Sequence, residues 1–186
     1  MITKELLKTV EPLRIVQEDI IPALDIVGKG FEEKKFYLPQ LLMSAESAKS
    51  AFEEIKNAMT GKSSADKSTV VIATVKGDIH DIGKNIVKLL LENYGFNVID
   101  LGRDVAPEDI VETTVKTHAP IVGLSALMTT TVPAMEETIK LLREKAPWCK
   151  VMVGGAVLNQ EYADAIGADN YSKDAMSAVR YAETVK

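Results

Sequence analysis

The stretch TVKGDIHDIGKNIV, residues 74–87, places one of only two histidines in the chain inside a loop bounded by glycines. His80 follows Asp78 by two residues and directly precedes Asp81; Ile79 and Ile82 alternate with them, and Gly77 and Gly83 close the loop. An imidazole on such a loop can give one ring nitrogen to a metal, and it binds better when a carboxylate holds its other N–H. Asp78 is spaced to do that holding. Gly77 and Gly83 lack a Cβ, which lets a bulky ligand come close to the backbone. A plainer reading has His80 capping the following helix and touching nothing else. The spacing D-x-H-x-x-G at a strand-to-helix turn favours the ligand reading, because open α/β sheets bind their ligands at such turns.

Other chemistries lack parts. Zinc needs three or four ligands, yet the chain holds one cysteine, Cys149, in a distant segment, and its other histidine, His118, falls at a helix end. The phosphate-cradling pattern G-x-x-x-x-G-K-[ST] is absent, and GDIHDIGK is not the dinucleotide pattern G-x-G-x-x-G. Ser125 and His80 could meet at the strand ends as nucleophile and base. Nothing marks an oxyanion hole for them, and that option stays open.

Two more loops carry candidate groups. SALMTTT offers the hydroxyls of Ser125, Thr129, Thr130 and Thr131 around Leu127. Threonine is common at strand ends for packing reasons alone, but hydroxyls there can also bond a nucleotide or extend a proton relay from Asp78. VGGA sets Gly154 and Gly155 where a side chain would block a long ligand, or where a tight turn forms.

The elements that position these loops follow from periodicity. TVVIATV, FNVIDLG, IVGLSAL, KVMVGG and a weak ADNYS read as strands. IGKNIVKLLLENYG, PEDIVETTVKTH, VPAMEETIKLLREKAP, NQEYADAIG and AMSAVRYAETV alternate with them as helices. That alternation implies a doubly wound, parallel, five-stranded α/β sheet of Rossmann-like (flavodoxin-like) type, with all three loops along its carboxyl edge. Before it, Leu13, Val16, Ile20, Leu24 and Val27 recur at helical steps, with Pro12 and Pro39 at helix starts and Pro22 expected to kink. The polar run GKSSADKS separates the halves, giving a helical part over 1–62, a linker over 63–68 and the α/β part over 69–186.

Composition narrows the class. The chain is 46% hydrophobic and 26% charged, with a net charge of −5, which is ordinary for a globular protein and offers no basic face for nucleic acid. Its apolar runs are strand-length, so no membrane partner is expected. A lone cysteine and an N-terminus without a continuous apolar core point to the cytoplasm.

Taken together, DIHDIG, then SAL with TTT beyond it, then GG, resemble the cobalamin-binding modules of methionine synthase and the corrinoid proteins of methyltransferase systems. The resemblance covers nearly the whole chain, because GKGFEEKKFYLPQLLMSAE is similar to that family's helical cap, here with about two main helices where the family often has four. It implies a cobalamin (corrinoid) cofactor whose cobalt takes His80 as lower axial ligand in place of the cofactor's own base. Asp78 then bonds that histidine, and Thr131 stands where the family's relay has a serine. Gly77, Ile79, Asp81, Ile82 and Gly83 complete the loop under the corrin. Ser125, Leu127, Thr129, Gly154, Gly155 and Ala175 match positions along the displaced nucleotide tail. Phe31, Leu38 and Leu41 match apolar residues over the upper face of the ring.

The implied function is that of a methyl carrier, with cobalt shuttling between cobalt(I) and methyl-cobalt(III). Neither barrel that binds the methyl donor or acceptor fits in 186 residues. Partners are therefore expected: a methyl-donor methyltransferase, a methyl-acceptor methyltransferase acting on a folate or thiol, and a reductive activator. The rival readings are the small subunit of an adenosylcobalamin mutase, a cobalamin-dependent sensor, and a flavodoxin-like enzyme or receiver unrelated to corrinoids. The cap argues against the first, and the absence of a basic recognition helix against the second. The third leaves the loop histidine without a purpose.

Overall fold

Short runs rich in Val and Ile become the strands of one parallel sheet in the computed structural model of the chain, which describes residues 2–59 and 67–185. Strands β1 (Lys67–Thr74), β2 (Phe96–Asp100), β3 (Ile121–Ser125), β4 (Lys150–Gly154) and β5 (Asn170–Tyr171) lie in the order β2-β1-β3-β4-β5. Every pairing is parallel. The order reverses direction between β1 and β3, and such sheets bind ligands in the crevice above that reversal. The flavodoxin-like architecture expected from the alternation is therefore the one observed. The chain forms two units, Met1–Lys62 and Ser63–Lys186. The linker expected over 63–68 falls largely outside the described residues, and its last two positions, Lys67 and Ser68, belong to β1.

In the α/β unit, side chains alternate between the two faces of the sheet. Val71, Ala73 and Val75, with Val122, Leu124, Val151 and Val153, join Ile110, Val111, Met135, Ile139 and Leu142 in one buried cluster. The last five come from α6 (Pro107–Thr117) and α7 (Val132–Lys145), which therefore cover this face. The opposite face presents Val70, Ile72, Ile121 and Met152, all buried. Helices α5 (Ile82–Asn93) and α9 (Ala175–Thr184), which pack on each other, supply the other buried apolar residues, among them Leu89, Leu90 and Val179. Each such side chain contributes roughly 1.5–3 kcal/mol on burial, enough in sum to carry a polar, partly open carboxyl edge. A short α8 (Gln160–Ala165) leads into β5.

The first unit consists of α1 (Ile2–Leu6), α2 (Pro12–Ile15), α3 (Ile21–Glu32) and α4 (Leu38–Met59). Between α2 and α3 runs a π-helical turn, Val16–Ile20. Pro22 has no N–H to offer the ordinary helical acceptor four residues back. The chain widens just before it, so that the Ile21 N–H bonds the Val16 carbonyl. The expected kink thus takes the form of a wide turn. Gly30 lets the Phe36 ring lie against α3: a Cβ there would sit 2.3 Å from Phe36 Cδ2. Among the described residues no helix is long and apolar enough to cross a membrane.

Candidate functional site

The loop after β1 turns back under its own carboxylate. Gly77 has φ +84°, a conformation that only glycine adopts freely. It aims the next residue, Asp78, into the sheet edge, where its side chain is fully buried. Asp78 Oδ1 accepts from the His80 N–H at 3.0 Å and meets His80 Nδ1 at 2.8 Å. Its Oδ2 accepts from the Leu127 N–H at 2.6 Å, the Met128 N–H at 3.2 Å and the Thr131 hydroxyl at 3.0 Å. Three donors thus reach across from the loop after β3, so the carboxylate staples together the two loops that flank the switch point.

This arrangement fixes charge and tautomer. Burial by itself would raise the Asp78 pKa; the His80 and Leu127 amides, the His80 ring and the Thr131 hydroxyl outweigh it and hold the group at about 2. An ionised carboxylate only accepts, so the His80 proton facing it sits on Nδ1, and in the neutral imidazole this leaves the lone pair on Nε2. The His80 side chain is 46% exposed. Among the described residues no group bonds Nε2. The helix-capping reading of His80 does not hold: Asp81 is the N-cap of α5 and the imidazole is turned onto Asp78. Thr131 has one hydroxyl proton and two acceptors in reach, Asp78 Oδ2 and the Met128 carbonyl at 2.8 Å.

The remaining expected residues fall around this triad. Ile79, next to His80 in sequence, and Leu127, whose N–H bonds Asp78, are 59% and 41% exposed, two large apolar side chains left to solvent. Ile82 and Gly83 begin α5, and nothing lies within 4 Å of a Cβ built on Gly83. Ser125 ends β3, half-buried, in register with Thr74 on one side and Gly154 on the other. Thr129 is exposed in a single 3-10 turn, Thr129–Thr131, that opens α7. Ala175 is the first residue of α9, just past a capping box made by Asp174 and Ser177.

Gly155 has φ +138°, and a Cβ there would lie 1.8 Å from the Ala126 carbonyl oxygen. The space saved at Gly155 is taken by the protein's own backbone. A Cβ at Gly154 would likewise meet the Ser172 carbonyl at 3.2 Å. The side chains of Phe31, Leu38 and Leu41 lie outside the described residues.

Three groups had escaped the sequence. Asp104 Oδ1 accepts from the Gly77 N–H at 2.7 Å, and its own N–H donates to the Asp78 carbonyl. Lys84, in the first turn of α5, is 4% exposed; its ammonium bonds Asp100 at the end of β2, which also takes Lys88 at 3.0 Å and the Gly102 N–H at 2.9 Å. Burial opposes ionisation of Asp100, and the Lys84 ammonium with these other donors overcomes it and lowers the pKa. The pair anchors the helix that follows His80. Third, the Thr74 hydroxyl is buried with no hydrogen-bond partner among the described residues. Only the last had a signal in sequence, a threonine closing an otherwise apolar strand.

Among the described residues no cluster of three or more His, Cys, Asp or Glu side chains could hold a metal ion. A metal here would draw most of its ligands from a macrocycle and one from His80. The residues fit a corrinoid: one open imidazole nitrogen, exposed apolar flanks, and an orphaned hydroxyl, Thr74, directly in register with Ser125.

Residues 68–180 match the family described as B12 binding domain, and residues 1–56 match a second family of the same description. The chain is 41% identical over 176 residues to dimethylamine corrinoid protein 1 of Methanosarcina acetivorans, covering 93% of this chain and 83% of that one. It is 40% identical over 174 residues to trimethylamine corrinoid protein 1 of the same organism, covering 91% and 81%. The structure of the Methanosarcina barkeri monomethylamine corrinoid protein superposes with a TM-score of 0.87 at 32% identity, over 97% of this chain and 87% of that one. The methanol:cobalamin methyltransferase complex MtaBC of the same organism superposes with a TM-score of 0.62 at 32% identity, over 93% and 67%. The mutase and sensor alternatives find no support in these relatives. The chain belongs to the B12-binding corrinoid proteins and is a methyl-carrier component of a methyltransferase system.

Proposed function

We propose that His80 Nε2 is the lower axial ligand through which this methyl carrier holds its corrinoid. The observation that carries the reading is the His80–Asp78 pair: Nδ1 held at 2.8 Å by a fully buried carboxylate, leaving the Nε2 lone pair open. When bound, the corrinoid supplies a cobalt centre able to take up and give up a methyl group. The chain's residues do the rest. Asp78 keeps the imidazole in one tautomer and raises its donor strength. Thr131 tunes that effect by giving its single hydroxyl proton either to Asp78 or to the Met128 carbonyl. Ile79 and Leu127 exclude water beside the ligand nitrogen, as the corrin's apolar underside requires. Ser125, with the orphaned Thr74 hydroxyl in register, would offer polar partners to the cofactor's nucleotide portion, with Thr129 and Ala175 assigned to the same role.

The relatives named for dimethylamine, trimethylamine and methanol systems support a donor methyltransferase acting on a small methylated compound. A second methyltransferase passes the methyl group to a thiol or folate, and a reductive activator restores the carrier after oxidation. The test is the ultraviolet–visible spectrum after incubation with hydroxocobalamin and desalting, for the wild type and His80→Gly. Retained corrinoid whose bands shift in the variant supports the ligand assignment. Identical bands in both proteins would overturn it.

A further inference from the structure

We propose that Asp104 is a positioning residue for His80, acting through the backbone of Gly77 and Asp78; the inference rests on the reading of His80 as axial ligand. Asp78 fixes the imidazole, so whatever fixes Asp78 sets the placement of Nε2. Its carboxylate is held from the β3 side by Leu127, Met128 and Thr131. From the β2 side its main chain is held by one residue. The Asp104 N–H donates to the Asp78 carbonyl at 2.9 Å, while Asp104 Oδ1 accepts from the Gly77 N–H at 2.7 Å, 27 residues away in sequence.

The clamp stands where the β1–β2 ladder runs out. The Thr74 N–H donates to the Gly102 carbonyl at 2.9 Å and the Val105 N–H to the Thr74 carbonyl at 3.1 Å, with a last bridge between Val75 and Val105. Beyond it, among the described residues, Asp104 supplies the main-chain bond to the loop on that side. Asp104 itself has φ +54°, a left-handed conformation uncommon outside glycine and tolerated best by Asn and Asp. That conformation points its N–H and its carboxylate at the same loop. A non-glycine residue in this region is held there by surrounding structure, and here both of its polar groups serve the His80 loop. Its side chain is exposed, so the carboxylate is not there to complete a core.

The φ value also supplies the test. Asp104→Gly keeps the turn and the N–H bond but removes the carboxylate; Asp104→Asn keeps both the turn and an acceptor oxygen. The full chain, labelled with ¹⁵N-histidine and loaded with hydroxocobalamin, is reduced to the cobalt(II) state and read by electron paramagnetic resonance. A histidine on cobalt gives a two-line ¹⁵N splitting, distinct from the three lines of the cofactor's own nitrogen. Wild type is expected to show two lines and His80→Gly none. In Asp104→Gly the ratio of histidine-ligated to unligated cobalt is expected to fall about two- to tenfold, less than loss of a direct partner of the ligand costs. Asp104→Asn should restore it, with thermal unfolding confirming that both variants fold. Asp104→Ser, which shortens the acceptor's reach, should resemble Asp104→Gly and keeps the test alive if that variant unfolds. Wild-type occupancy in both Asp104→Gly and Asp104→Ser, or equal losses in Asp104→Asn and Asp104→Gly, would overturn the clamp. A wild type without the two-line signal would instead overturn the axial assignment itself.

Discussion

Asp78 and Asp169 sit at opposite edges of the same sheet and use similar bonds to opposite ends. Asp169 closes the lower edge: Arg143 reaches its Oδ2 at 2.7 Å, Lys150 its Oδ1 at 3.1 Å and the Val151 N–H its Oδ2 at 2.8 Å. Arg143 goes on to the Cys149 and Gly167 carbonyls, so the network ends on the protein's own main chain. Nearby, burial pushes the Cys149 thiol up to about 12, which removes it from nucleophilic chemistry. Among the described residues Asp78 has no lysine or arginine partner. Its bonds come from amides, a hydroxyl and an imidazole, and the imidazole ends in an open nitrogen. Two salt-linked cations make a brace, whereas a carboxylate facing neutral donors keeps its charge available to polarise a ligand.

The difference predicts unequal costs. Asp78→Ala strands the His80, Leu127 and Met128 N–H groups around a fully buried hole, while Thr131 keeps the Met128 carbonyl, at about 4 kcal/mol of unfolding free energy. Asp169→Ala leaves Arg143 two carbonyl partners and access to water, since the Asp169 side chain is 19% exposed, so its cost is about 1–2 kcal/mol. Urea denaturation of both variants measures the gap, and the reverse order would refute the contrast. Gly155→Ala comes next, at about 3 kcal/mol. Its Cβ meets the Ala126 carbonyl at 1.8 Å, and main chain on both sides limits relaxation.

The pH dependence sharpens the same contrast. The folded Asp78 pKa lies at about 2, below its ordinary 3.8, so its contribution is complete above the unfolded value and is lost as pH falls from about 4 through 2. The difference corresponds to about 2 kcal/mol. Asp169 and Asp100, also lowered, add losses of the same sign. Stability measured from pH 5 down to 2 should therefore fall less steeply in Asp78→Asn than in the wild type. Equal slopes would remove Asp78 as a source.

Much of this edge was legible in the sequence because strand-end loops announce themselves by residue type. A histidine with an aspartate two residues before it marked His80 and Asp78, while the run of hydroxyls at a later strand end offered four candidates, among which the family resemblance singled out Thr131. What stayed hidden depends on which strands become neighbours. Asp104 meets Gly77 only because β2 pairs with β1, and Lys84 meets Asp100 across the same pair. No local spacing encodes either contact. The glycines were readable as glycines but not by cause, since the neighbour of Gly155 is the Ala126 main chain. The π-helical turn before Pro22 was hidden because the sequence shows that a proline must disturb a helix, not whether by bend or by widening.

Gly83 is the counter-case to Gly155 and carries the smallest expected effect. Its backbone needs no positive φ, and a Cβ built there meets nothing within 4 Å. In the second position of α5, alanine outranks glycine as a helix former, so Gly83→Ala should raise stability by about 0.5 kcal/mol. Nothing in the fold asks for glycine here, three residues beyond His80. If the position is kept bare so that the corrinoid can approach the start of α5, the same variant should retain less cofactor after desalting while melting at a slightly higher temperature. A variant that gains stability and holds the corrinoid as well as the wild type would show that the ligand stays clear of this turn, confining the close approach to Gly77, Ile79 and His80.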